Sequence, residues 1–398
     1  MSAPLRVLCL DIEGGHGGSS RSLIQSLLNL DRELISPEVI CRRSGEFQDI
    51  YRAVNIPCRV FPELPKVSSL PRFSRNLIVY SRFLFDFLRA RPLLLELVRE
   101  INERFDLVHF NHEGYWLLAK WLRPRVSAPF TMHLRTNLQD TVFGRTQERT
   151  IGNTMDRLVY ITENEQISFE RLGGRCDGQV INNIAAEFPQ DTLPHPDIPC
   201  DSRFKIACLS NFGWNRGTDR LVEMAQALAG LGRRDILFVV AGDMELSRSL
   251  PGVLGEIGGR GGTLGDYAMH CGVGDMFLFL GHVSNPEMVL KACDLVAKPT
   301  REANPWGRDI IEAMSAGKPV FSVGTWNGFV LNNKTGLLQE KFEPDNFASE
   351  IVRLIDKPEA FKAMGAAGKE HIHKLCSGPE RAAELANLWR TTAGEKAD

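Results

Sequence analysis

The sequence predicts an α/β protein of two open, parallel-sheet domains facing each other across a cleft, and three observations predict it. Short β-rich runs alternate with longer helix-patterned stretches along the chain, the signature of repeated βαβ units. A proline-rich break, EFPQDTLPHPDIPCDS over 187–202, divides that alternation into two sets of similar size. At 398 residues the chain suits two domains. Two such sheets, each binding ligands at the carboxyl ends of its strands, leave a natural site in the cleft between them.

In the first half, strands are predicted at 5–12, 38–41, 59–61, 106–110, 129–132, 157–161 and 179–181. Three further prolines after Pro189 then rule out a regular helix or central strand, so 187–202 reads as a linker between domains at 1–186 and 203–378. In the second half, strands are predicted at 204–209, 236–241, 276–280, 295–298 and 319–323. Residues 379–398 read as a C-terminal helix and tail that can pack back on the N-terminal domain.

Composition narrows the function classes. The hydrophobic fraction of 43% and charged fraction of 24% are those of an ordinary soluble globular protein. A net charge of -2 offers no global attraction to nucleic acid, so an anionic partner needs a local basic cluster. Nine cysteines, an odd number without a C-x-x-C pair, argue against a disulfide framework or zinc site and fit a reducing cytoplasm. The N-terminal MSAPLRVLCLDIEGG enters a strand-like run directly, so no signal peptide is expected. No uncharged apolar run reaches the roughly 18 residues of a membrane span.

Several motifs sit where strands end. DIEGGHGGSSRS places Gly14, Gly15, Gly17 and Gly18 around His16 at the entrance to a helix, where free N–H groups and partial positive charge suit a phosphate. The spacing is not G-x-G-x-x-G, and a plain tight turn is the alternative. In LSNFGWNRGTDR, Arg216 lies in the turn after a strand and is placed to grip a phosphate; an exposed arginine near a helix start is the competing account. In NPWGRDIIEAMSAGKPV, Asn304 is a good N-cap, Pro305 suits the first helical position and Gly317 the position past the end. Arg308 and Glu312, four apart, allow a simple surface ion pair. The cluster GGRGGTLGD over 258–266 follows no strand and reads as a loop. The absence of D-x-D disfavours a metal-held nucleotide sugar, and the standard phosphate loop and nucleophile elbow are absent too.

This ordered set resembles the retaining glycosyltransferases of family 4, glycosyl transferases group 1, whose GT-B fold pairs two Rossmann-like domains. The resemblance rests on Gly17 and Gly18, VHFNHE over 108–113, T-x-H at Thr131 to His133, and SNFGWNRG. GHVSNPE over 281–287, ACDLVAKPT, NPWGRDIIEAMSAGKPV and NNKTGLL complete it. It implies a nucleotide-sugar donor, no metal or other cofactor, and a glycan or lipid-linked acceptor drawn from surface polysaccharide or glycolipid assembly. It further implies that Glu312 binds ribose hydroxyls, that Gly307 and Arg308 offer backbone N–H groups, and that Gly18 admits the diphosphate. By the same resemblance Arg216 matches a family lysine, His133 lies near the transferred sugar, and Gly17, Asn211, Val283 and Trp306 belong to the donor region. Two residues depart from the pattern: Asn304 stands where the first acid of Glu-x7-Glu is usual, and Asn211 where an arginine is usual. Each change removes a charge. A GT-B sugar-nucleotide epimerase and a nucleotide-sugar-binding protein that no longer transfers are the rival readings.

Residues 66–91 carry six basic residues and one acid. Arg75, Arg82 and Arg89 recur every seventh position among aromatic residues, a pattern suited to an anionic membrane surface or a lipid diphosphate. The expected location is the cytoplasm, peripherally on the inner face of a membrane, with a core helix edged by solvated arginines as the plain alternative.

Overall fold

The computed structural model describes residues 3–14, 17–67 and 76–394, with side chains from Tyr80 onward in the last span. It divides into two compact units, Met1–Ile184 with Cys376–Asp398, and Ala185–Leu375.

In the first unit, β1 (Leu5–Asp11), β2 (Ile35–Cys41), β3 (Cys58–Val60), β4 (Leu107–Phe110), β5 (Phe130–Leu134), β6 (Arg157–Tyr160) and β7 (Gly178–Val180) form one parallel sheet. Its order is β3-β2-β1-β4-β5-β6-β7. Successive side chains of a strand point to opposite faces. Leu8 and Leu10 accordingly enter a core with Phe110 and Phe130, while Val7 and Cys9 enter another with Leu107 and Val159. Burial on both faces is why these strands read as continuous apolar runs.

In the second unit, β8 (Phe204–Leu209), β9 (Ile236–Ala241), β10 (Phe277–Gly281), β11 (Leu295–Lys298), β12 (Val320–Val323) and β13 (Gly336–Gln339) form a parallel sheet of order β10-β9-β8-β11-β12-β13. In both sheets the strand order reverses beside the first strand, at β1/β4 and at β8/β11. Open α/β sheets bind ligands at such switch points, beyond the carboxyl ends of the strands.

Several expectations need correction. The strand predicted from residue 38 begins at Ile35 and runs through Pro37. Val39 donates its N–H towards β3, to the Pro57 carbonyl at 2.8 Å. By alternation Pro37 turns its missing N–H to the same side, ahead of the start of β3, so no ladder bond is lost. β13 was not predicted, because four residues opening on glycine carry no alternation. The stretch 187–202 joins the second unit rather than standing between units: the His195 N–H reaches the Met288 carbonyl at 3.0 Å. The glycine cluster over 258–266 is not a loop; it closes the helix Gly252–Gly259 and starts the helix Leu264–His270, where Asp266 and Thr263 cap reciprocally.

The C-terminal helix Gly378–Thr392 belongs to the first unit, seating Leu385, Leu388 and Trp389 among Leu23, Leu27 and Val159. Each such fully buried side chain contributes about 1.5–3 kcal/mol of transfer free energy. The basic helix is longer than predicted, Asn76–Arg104, and passes through Pro92. No helix among the described residues is long and apolar enough to cross a membrane.

Candidate functional site

In the second unit the predicted residues gather on the loops after β8 and β11. The two loops touch at Gly217, whose φ of 69° is left-handed and where an added Cβ would lie 2.0 Å from the Pro299 carbonyl oxygen. Only glycine permits that approach. Arg301 strengthens the junction, donating to both carboxylate oxygens of Asp219 at 2.6 Å and stacking on Trp214 at 3.6 Å from the ring centroid. Planar, two-pronged pairing of this kind holds geometry as well as charge.

Asn304 does not cap the helix. Its Oδ1 accepts from the Thr300 hydroxyl at 2.5 Å, and the helix begins later, at Arg308–Ser315, with Gly307 as N-cap. Pro305 therefore precedes the helix instead of opening it. Gly307 adopts φ 127°, and a Cβ there would approach Lys298 Nζ and Asp309 Oδ1 to 2.9 Å. Having no side chain, Gly307 cannot cap the terminus itself. Gly317 does end the helix as predicted: its N–H bonds to the Met314 carbonyl and the Lys318 N–H to the Ala313 carbonyl, at 2.9 Å each.

Arg308 and Glu312 pair as their spacing allows, through Arg308 Nε at 2.9 Å and Nη2 at 2.8 Å to Glu312 Oε1. With side chains only 11% and 16% exposed, this is not a surface pair. Its attraction is less screened by solvent than that of an exposed pair. Lys298 ties the preceding loop down, donating to the Trp306 carbonyl at 2.5 Å and to Asp309 at 3.0 Å. Trp306 is buried edge-to-face against Trp326.

Arg216 is exposed, its Nη1 resting on Ser210 Oγ at 2.8 Å. Asn211 Oδ1 accepts from the Asp243 N–H at 2.9 Å, bracing the end of β8 to the end of β9. Val283 lies half-buried in the loop after β10, two strands away from β8. Burial pushes the Cys208 thiol up to about 12; Asp309 adds to the rise, while Arg216 and Lys298 oppose it. These charges surround the end of β8.

In the first unit, Gly17 is the N-cap of the helix Gly18–Leu28, with Gly18 its first residue. Gly15 and His16 lie outside the described residues. Asn111, following β4, donates to Asp11 Oδ1 at 2.8 Å and to the Ser19 carbonyl at 3.0 Å, linking both strands of the switch point to that helix. Arg135 donates to Asn111 Oδ1 at 2.5 Å and to Asn183 at 3.0 Å. The buried Glu113 accepts from the Arg135 N–H at 3.1 Å and from Thr136 at 2.5 Å.

His133, on β5, is buried, and its Nδ1 lies 2.8 Å from His109 Nε2. Burial, reinforced by the positive Arg135, holds His133 well below the ordinary histidine range and pushes His109 down to about 3. Both rings are neutral near pH 7.

Arg75 falls outside the described residues. Arg82 and Arg89 are exposed, while Tyr80, Phe83 and Phe87 turn inward against the core. Phe85 at 66%, Leu88 at 58% and Leu84 at 54% exposure face outward, so the aromatic residues divide between two faces of the helix.

Sequence reasoning missed Arg301, Lys298, Arg135 and Glu113 as supports of these loops. Glu113 closes the motif VHFNHE and Arg135 follows T-x-H by two positions, so their place beside those motifs was the available signal. Arg301 and Asp219 are 82 positions apart, and no local pattern joins them.

Two parallel doubly wound sheets, each with ligand-type loops at its switch point, define the GT-B fold class. Anabaena HepE, solved with UDP and glucose, superposes with a TM-score of 0.75 at 20% identity, covering 97% of this chain and 100% of that one. Residues 198–371, within the second unit, match the model of the family Glycosyl transferases group 1. A GDP-mannose-dependent monoacylated alpha-(1-6)-phosphatidylinositol monomannoside mannosyltransferase of Corynebacterium glutamicum is 26% identical over 61% of this chain and 64% of its own length. A D-inositol 3-phosphate glycosyltransferase of Segniliparus rotundus is 31% identical over 71% of this chain and 66% of its own length. The chain thus spans less than two thirds of either of these relatives.

Proposed function

We propose that the protein is a retaining, metal-independent glycosyltransferase that moves a sugar from a nucleotide-activated donor to a glycan or lipid-linked acceptor, in surface polysaccharide or glycolipid assembly. The observation that carries this reading is the end of the second unit's switch point. There Gly307 opens a helix without a side-chain cap, and Glu312 presents a carboxylate one turn in, anchored by Arg308. A helix N-terminus suits a diphosphate, and an anchored carboxylate suits vicinal ribose hydroxyls.

In this reading Arg216 and the helix N-terminus meet the charge that develops on the departing diphosphate, where one fixed donor is worth roughly 3 kcal/mol. The bond from the anomeric carbon to the diphosphate oxygen breaks, and the acceptor oxygen bonds to the same face. Its proton passes to the diphosphate, which leaves as nucleoside diphosphate. His133 contacts the sugar. Gly17, Gly18, Asn211, Val283 and Trp306 shape the donor region, and Asn304 supplies a neutral side chain near the sugar. The named relatives, acting on GDP-mannose or inositol phosphate, and HepE with UDP and glucose support a nucleotide-sugar donor.

The test is incubation with a panel of nucleotide sugars. Slow release of free nucleoside diphosphate, faster with acceptor, is expected; thermal stabilisation without any turnover would overturn transfer. That second outcome marks the rival reading, a protein that binds nucleotide sugars without transferring them. Asn211 and Asn304 favour the rival, since both side-chain oxygens are engaged in bracing loops.

The acceptor side includes peripheral attachment to the cytoplasmic face of an anionic membrane. Exposed Leu84, Phe85 and Leu88 beside exposed Arg82 and Arg89 support it, because apolar side chains enter the interface while arginines meet lipid phosphates. Co-sedimentation with anionic liposomes is expected, and an Arg75, Arg82 and Arg89 triple glutamate variant should lose it. No affinity for such liposomes, together with full activity of the triple variant on the true acceptor, would remove this part of the reading.

A further inference from the structure

A chain of side chains runs from the C-terminal helix to His133. Trp389 Nε1 donates to His109 Nδ1 at 3.3 Å, Thr131 Oγ1 lies 2.8 Å from the same nitrogen, and His109 Nε2 lies 2.8 Å from His133 Nδ1. Trp389 and His109 are fully buried and 280 positions apart.

The donor and acceptor inventory of these groups decides the protons. An indole N–H can only donate, whereas a threonine hydroxyl rotates to serve either role. If His109 carried its proton on Nδ1, Thr131 could accept it, but the Trp389 N–H would face another N–H and lose its acceptor in a dry core. His109 therefore keeps Nδ1 bare and carries its proton on Nε2. That proton points at His133 Nδ1, which must then accept, so His133 carries its own proton on Nε2. A neutral ring has one proton to place, and His133 is neutral.

We infer that Trp389 and His109 are positioning residues that hold His133 in its Nε2–H tautomer, so that His133 meets the donor sugar as a hydrogen-bond donor to a hydroxyl oxygen. The inference rests on the reading of His133 as a sugar contact. It makes the C-terminal helix, remote in sequence, part of the machinery that sets the polarity of that contact.

The tautomers can be read directly by imidazole nitrogen NMR on the full chain labelled with 15N-histidine. In the wild type, His109 and His133 are both expected to show a bare Nδ1 and a protonated Nε2. A protonated Nδ1 on His133 overturns the inference without any variant. His109→Gln offers an amide N–H to His133 and a carbonyl to Trp389, so it should preserve the His133 pattern and most of the donor turnover. His109→Leu should mix the His133 tautomers and lower kcat roughly tenfold, about the effect of one misdirected hydrogen bond. Equal loss in both variants, with the His133 pattern unchanged, would show a packing role and sink the proposal. The underlying reading fails separately: if His133→Ala leaves donor turnover intact, His133 is no sugar contact, whatever its tautomer.

Discussion

The Arg308 guanidinium donates twice to one carboxylate oxygen of Glu312, from Nε at 2.9 Å and from Nη2 at 2.8 Å. This anchoring holds Glu312 still. A fixed acceptor loses little side-chain entropy when a ligand arrives.

Glu312→Ala should weaken nucleotide-sugar affinity by about tenfold to a hundredfold, since a hydrogen bond to a charged group is worth about 1.5–3 kcal/mol. It also strands the guanidinium of Arg308, so some loss of stability is expected alongside. Isothermal titration with a nucleoside diphosphate measures the first and chemical denaturation the second. Unchanged affinity would mean the donor-site assignment is wrong.

Asn304→Glu is expected to lower donor turnover. The Thr300 hydroxyl donates to Asn304 Oδ1 and also accepts from the Glu302 N–H at 3.1 Å, so the short amide closes a compact turn. A longer, charged side chain carries its acceptor one methylene beyond the Thr300 hydroxyl and opens that turn. Steady-state release of nucleoside diphosphate is the measurement, and a rise would show that the asparagine marks lapsed catalysis.

Arg301→Met should destabilise the second unit by about 3–5 kcal/mol, because it leaves the Asp219 carboxylate buried without its partner. Arg301→Met with Asp219→Leu should recover part of that loss. Denaturant unfolding of the two variants checks both statements; equal stabilities would show that the stranded Asp219 carboxylate is not the source of the loss.

Stability should fall as the solution is acidified from about pH 6.5 towards 3. The folded His109 value is depressed to about 3, whereas an unfolded histidine titrates near 6.5. Across that window the unfolded chain holds a proton that the native ring refuses, so unfolding gains about 1.4 kcal/mol per pH unit for this residue. Above pH 6.5 the stabilisation is fully present. The slope of unfolding free energy against pH should be shallower in His109→Gln than in wild type, and equal slopes would count against it.

Much of this was legible in the sequence. Strands such as Phe204–Leu209, Ile236–Ala241 and Leu295–Lys298 occur where they were read, because a doubly buried strand announces itself as an apolar run between turn residues. Motifs at strand ends were legible for the same reason: once β8 and β11 are known, their loops follow. The start of the helix Arg308–Ser315 is not where local capping rules put it. Asn304 and Pro305 satisfy the local capping rule, yet a bond to Thr300 and the left-handed turn at Gly307 delay the helix to Arg308.

By itself the sequence determined the alternation of strands and helices, the two parallel sheets and the residues offered at their carboxyl edges, since periodicity and turn chemistry act over a few positions. Only the tertiary structure decided that Arg301 grips Asp219, that Gly217 lies under Pro299, and that Trp389 returns to His109. These contacts depend on which apolar faces pack together, and no short stretch of chain carries that information.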